Sequence, residues 1–170
     1  MKRLPLTPIQ ITPHFDLETF MILSGQRRIS GDQAEEIGRL WQQLFSHLRA
    51  YRLGQGKGYM LIYLAPKAEQ ILQEKQSEDS VQGVNAPLAA QAMLMAALLE
   101  AVPEASLGTC APIPEPNKIL KRSLAEVGLD FTNAGQLSVQ YGLLTRLPFR
   151  NDCEDCYLKA SCPKKIMEGS

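Results

Sequence analysis

Cysteine is the residue type in this chain that points most directly to chemistry, and three of the four cysteines lie close together near the carboxyl end. Cys153, Cys156 and Cys162 follow the pattern C-x2-C-x5-C, and Cys110 lies far upstream. Two cysteines separated by two residues can turn both sulfurs toward one metal centre, and five further residues allow about one helical turn before the third sulfur returns. The spacing therefore predicts a metal site whose ligands are Cys110, Cys153, Cys156 and Cys162.

The amino-terminal residues indicate the compartment in which these thiols would work. Lys2 and Arg3 are not followed by an apolar run, and Pro5, Pro8 and Pro13 interrupt the segment, so no secretory signal is recognisable. We therefore expect a cytoplasmic protein, whose thiols stay reduced. In that setting four cysteines suggest metal ligation or catalysis before disulfides.

The cysteine pattern resembles the ligand pattern of protein-bound [4Fe–4S] clusters. The same C-x2-C-x5-C trio occurs in base-excision glycosylases and in auxiliary domains of radical enzymes. With a remote fourth cysteine it is similar to iron–sulfur nucleases related to the exonuclease fold of recombination enzymes. The resemblance covers only Cys110 and residues 153–162, so it implies a type of cluster and no single family.

The motifs that would identify one of those families are missing. Arg146 stands where a glycosylase would carry its first cysteine ligand, and the stretch Gln136–Tyr141 has one residue too many for the nuclease Gln-x3-Tyr motif. No catalytic residue is therefore carried over from either family, and whether the chain is an enzyme stays open.

Zinc is the main alternative occupant, because four cysteines also make a closed structural zinc site. Zinc modules more often use two C-x2-C pairs, and this chain has one. A proline after the last ligand, here Pro163, also occurs in ferredoxin-type runs. These details favour a [4Fe–4S] cluster over one structural zinc, with unligated thiols as a third possibility.

Charge and ligand number limit the function classes. Lys plus Arg and Asp plus Glu both number 18, so the net charge is zero, which disfavours a protein whose whole surface binds nucleic acid or an anionic membrane. Four cysteines saturate a cluster, so no iron position is left for substrate. The first hypothesis is an iron–sulfur protein, its cluster structural or redox-active, that works with a protein partner in electron transfer or assembly. The alternative is a zinc- or cluster-braced module that binds a protein partner or, through a local basic patch, nucleic acid.

The elements that must position the cysteines follow from periodicity and capping signals. They predict an α+β fold, mostly helical, with a small antiparallel sheet and a metal-stapled C-terminal tail. Residues 1–148 would form the α+β domain, and residues 149–170 a cysteine-rich tail packed back on the loop around Cys110. The apolar stretch Ala86–Val102 contains Gln91 and Glu100, which favours a core helix over a membrane span.

Within that domain the local patterns predict five helices, one buried strand and one hairpin. The helices are expected over Asp16–Leu23, from Asp32 to just before Gly54, over Pro66–Lys75, over the alanine-rich stretch capped by Asn85, and over Asn117–Val127. A central strand is expected at Gly58–Leu64, and a hairpin at Leu129–Thr132 and Gln136–Leu143.

Overall fold

The sheet at the centre of the fold lies between two apolar cores. The computed structural model describes residues 2–78, 81–106 and 110–162. Its elements in chain order are β1 (Leu6–Pro8), α1 (Leu17–Ser24), α2 (Gly31–Phe45), β2 (Leu48–Leu53), β3 (Gly58–Leu64), α3 (Pro66–Ser77), α4 (Val81–Ala101), α5 (Lys118–Ala125) and β4 (Gly142–Leu147). Two 3-10 turns, Cys153–Asp155 and Lys159–Ser161, follow β4. The predicted α+β class, mostly helical with a small antiparallel sheet, is confirmed.

The four strands form an antiparallel sheet in the order β1-β2-β3-β4. Strand β3 is central and apolar on both faces: Met60 and Ile62 belong to one core, and Leu61 and Tyr63 belong to the other. The prediction of a central strand over Gly58–Leu64 is confirmed. Strand β4 is an edge strand, and the chain leaves it toward the cysteine-rich tail.

Helix α4 is the centre of the larger core and packs against α1, α2 and α3. Its small side chains, among them Ala89, Ala90 and Ala97, are fully buried, so neighbouring helices can approach it closely. Within the described residues, Gly83–Ala101 is long and apolar enough to cross a membrane by length and composition, yet half of that window is buried inside the fold. These contacts are those of a core helix.

Helix α5 covers the opposite face of the sheet. Asn117 caps it, because the Asn117 side chain accepts a hydrogen bond from the backbone N–H of Leu120 at 2.9 Å. Leu120 and Leu124 are fully buried and join Leu61 of β3 in the smaller core. The predicted helix is confirmed, with ends at Lys118 and Ala125.

The long helix predicted from Asp32 to Gly54 is wrong. Helix α2 begins at Gly31, after the N-cap Ser30, which forms a capping box with Gln33. The helix ends at Phe45. The remaining residues form β2, paired on both sides with β1 and β3. Leu48 and Tyr51 continue the helical spacing of Leu44, so the local pattern suits a helix, and pairing with two strands decides against it.

The predicted hairpin is much shorter than expected, and the predicted cap of the alanine-rich helix is wrong. The two arms pair only around the bridge Phe131 to Leu137, where the N–H of Thr132 donates to the carbonyl of Gln136 at 2.7 Å and the N–H of Ser138 donates to the carbonyl of Asp130 at 2.8 Å. The regular strand β4 starts later and pairs with β3. Asn85 lies inside α4, where its side-chain oxygen accepts a 2.6 Å hydrogen bond from the Gln26 amide. Both errors come from tertiary partners that local sequence does not reveal.

The burial difference between two isoleucines tests the core assignment. Ile37 in α2 is 3% exposed, whereas Ile22 in α1 is 59% exposed. Ile37→Ala should lower the free energy of unfolding by about 2–5 kcal/mol, since it leaves a cavity. The matched Ile22→Ala should change it by no more than about 0.5 kcal/mol. Urea denaturation of both variants measures this, and equal losses would contradict the packing.

Candidate metal centre

The first two cysteines of the tail share one tight turn. Cys153 opens the 3-10 turn Cys153–Asp155, and the backbone N–H of Cys156 donates to the carbonyl of Cys153 at 3.2 Å. The Asp152 side chain caps this turn by accepting from the N–H of Glu154 at 2.9 Å. The turn holds these two cysteines close together, as C-x2-C spacing predicts.

The third cysteine follows a second turn of the same kind. The N–H of Lys159 donates to the carbonyl of Cys156 at 3.1 Å, and Cys162 directly follows the turn Lys159–Ser161. The Lys159 ammonium is also paired with Glu154 of the first turn. Both side chains of that pair are largely exposed, so it adds little stability. Pro163 and the rest of the chain lie outside the described residues.

One backbone hydrogen bond ties the tail to the segment that follows Cys110. The N–H of Tyr157, next to Cys156, donates to the carbonyl of Ile113 at 2.8 Å. Ile113 follows Cys110 by three residues. An extended chain spans at most about 3.6 Å per residue, so the α-carbons of Cys110 and Cys156 lie within about 22 Å of each other. The tail therefore contacts the segment that follows Cys110, and this distance is an upper limit for the two cysteines.

Tyr157 also anchors the tail against the segment before β4. Gly135 adopts a left-handed conformation, with φ at +77°, and its α-carbon faces the Tyr157 ring so closely that a β-carbon would overlap it. The ring is 48% exposed. Within residues 149–162, the Tyr157 ring and its backbone bond to Ile113 thus link a largely exposed segment to the fold.

The four thiols fit a metal centre by their chemistry. None of the four cysteines is in a disulfide; Cys110 and Cys153 are exposed, and Cys156 and Cys162 are half-buried. Thiolate sulfur is the usual protein ligand of iron–sulfur clusters and of closed zinc sites. The donor set is therefore complete in kind and number for either occupant.

Their arrangement does not yet form a coordination group. Among residues 2–78, 81–106 and 110–162, no set of three or more His, Cys, Asp or Glu side chains is close enough to hold a metal ion. Binding would require the exposed turns of the tail to close on the loop of Cys110. Metal binding commonly supplies the free energy for such ordering.

A cleft of about 630 Å³ lies next to this junction, lined by Ala111, Ile113, Gln140 and the start of β4. Glu69 enters it from α3 and accepts a 2.6 Å hydrogen bond from the backbone N–H of Gln140. Burial raises the pKa of neighbouring Tyr141, and the negative charge of Glu69 raises that pKa further. Tyr141 therefore stays a neutral phenol at neutral pH.

Sequence reasoning placed Arg146 and Arg150 in a local basic patch beside the tail, but it did not group Lys57 or Thr145 with them. Lys57, Thr145, Arg146 and Arg150 line one small cleft together with Asp155 of the first cysteine turn. Lys57 is distant from the others in sequence and stands in a glycine-rich turn, so only the pairing of β3 with β4 brings it there. The signal in the sequence for this cleft is the positive charge of Arg146 and Arg150, which lie four residues apart.

The chain matches no protein-family model, no curated protein and no solved structure. Its function must therefore be argued from its own residues.

The contact between Gly135 and Tyr157 gives a test of how the tail is held. Gly135→Ala should displace the Tyr157 ring and speed hydrogen exchange at the Tyr157 amide, whose bond to Ile113 would weaken. Gly128→Ala is the matched control, because Gly128 has φ at +74° but open space around it. Both variants carry a backbone strain of about 1–2 kcal/mol. If both speed exchange at Tyr157 equally, the anchoring role is contradicted.

Proposed function

We propose that this chain is an iron–sulfur protein that holds one [4Fe–4S] cluster through Cys110, Cys153, Cys156 and Cys162. The observation that carries the proposal is the 2.8 Å hydrogen bond from Tyr157 to Ile113, because it makes neighbours of the two segments that carry the cysteines. The donor set of four cysteines without a disulfide supports it.

Each part of the tail would have a distinct task in this protein. The turn capped by Asp152 presents Cys153 and Cys156 together. The turn Lys159–Ser161 returns the chain so that Cys162 can approach from the other side. Tyr157 fixes the tail beside the loop of Cys110.

The cluster would be structural or would transfer electrons to a protein partner. When bound, a [4Fe–4S] cluster supplies one-electron redox chemistry. Four cysteine ligands leave no iron position for a substrate, so the chain's residues would serve to hold and shield the cluster. Since Cys110 and Cys153 are exposed, the centre would lie near the surface, where a partner can approach it.

Metal analysis with a ligand variant is the direct test. The protein purified anaerobically should contain about four iron and four acid-labile sulfide per chain. Cys110→Ser should lose both, because it removes one of the four ligands, whereas Ser161→Ala, which changes a residue beside Cys162, should retain them. Stoichiometric zinc without sulfide would show that the cysteines hold a structural zinc ion and not a cluster. Full iron and sulfide in Cys110→Ser would contradict the role of the remote cysteine.

Protease sensitivity gives an independent readout of closure. Cleavage by trypsin after Lys159, which is exposed between Cys156 and Cys162, should be slowed at least tenfold by metal loading, since coordination orders the tail. Cleavage after exposed Lys67 in α3 should keep the same rate in both forms. Equal protection of Lys159 with and without metal would count against coordination by the tail.

A further inference from the structure

A small basic cleft lies between the open edge of the sheet and the cysteine-rich tail. It has a volume of about 190 Å³. Three cationic side chains line it, Lys57, Arg146 and Arg150, together with one carboxylate, Asp155. The formal charge of the lining is therefore positive by two, in a chain whose net charge is zero.

The register of the sheet brings the three cations together. Gly58 pairs with Leu147, and Tyr59 pairs with Arg146. Lys57 therefore lies just before the start of β3, beside the end of the antiparallel β4, and Arg150 follows three residues after the end of β4. The cations belong to two separate parts of the chain that β-pairing holds in place.

Among the residues that the structure describes, these cations form no ion pair. Ion pairs form elsewhere, at Arg3, Arg39, Lys75 and Lys159. In the described ranges 2–78, 81–106 and 110–162, none of Lys57, Arg146 and Arg150 lies within ion-pair distance of a carboxylate. Like charges gathered around one cleft repel each other, and a bound anion relieves that repulsion.

A buried threonine forms part of the same wall. Thr145 is 1% exposed and lines the cleft together with the three cations.

We propose that this cleft binds a phosphate group. The two guanidinium groups of Arg146 and Arg150 can each donate paired hydrogen bonds to phosphate oxygens, which suits phosphate better than a point charge would. The positive charge of two matches a phosphate dianion. A volume below the roughly 300–1,000 Å³ of sites for drug-sized ligands suits inorganic phosphate or the terminal phosphate of a larger molecule.

The phosphate site does not depend on the proposed cluster. Lys57, Thr145 and Arg146 belong to the sheet and its turns, whereas Arg150 and Asp155 belong to the tail and Pro112 to the segment after Cys110. Phosphate binding by metal-free protein therefore tests the phosphate site, while loss of iron and sulfide in Cys110→Ser tests the proposed cluster.

Titration with inorganic phosphate at constant ionic strength, followed by amide chemical shifts of the full chain, tests the inference. Saturable shifts should centre on Lys57, Thr145 and Arg146. The double variant Arg146→Gln with Arg150→Gln should bind at least tenfold more weakly, and Lys57→Gln should also weaken binding because it changes the opposite wall. Circular dichroism checks that these variants fold.

A charge-matched control separates a site from general attraction. Arg27→Gln with Arg28→Gln removes the same charge from an exposed loop between α1 and α2 and should leave phosphate affinity unchanged. Shifts that do not saturate, or equal weakening by the two double variants, would overturn the site. Succinate binding as tightly as phosphate would overturn the phosphate assignment.

Discussion

The antiparallel pairing of β3 with β4 is the constraint on which both candidate sites depend. Its register sets Gly58 against Leu147 and Tyr63 against Gly142, and the hydrophobic residues of β3 hold it from both sides. A shift by one residue would exchange the buried and exposed faces of β4. Such a shift would separate Lys57 from Arg150 and would move the point from which the tail starts.

The tail itself is held by few interactions, and this makes it suited to ordering by a ligand. Its clearest links to the fold are the bond from Tyr157 to Ile113 and the ring contact with Gly135. These two contacts bury little apolar surface, whereas fixing the backbone of each tail residue costs about 1–2 kcal/mol of conformational entropy. A metal centre bound by four thiolates would supply the free energy that local packing does not.

The two proposed sites lie in one region of the molecule, and both would hold an anionic group. A cluster held by four thiolates is anionic, as is phosphate, and both would lie near the cations of the sheet edge. Asp155 stands in the turn between Cys153 and Cys156 and also lines the basic cleft. The position of this carboxylate links the charge of the cleft to the conformation of the cysteine turn.

Sequence alone determined the elements whose signals are local. Strand β3, helix α3 and helix α5 follow from apolar patterning, a first-turn proline and the Asn117 cap, and the cysteine spacing named the candidate ligands. Only the tertiary structure decided that β2 is a strand and that β4 pairs with β3. It also decided which residues line the basic cleft. The physical reason is that strand pairing and charge clustering join residues far apart in sequence, so no local window contains the interaction that stabilises them.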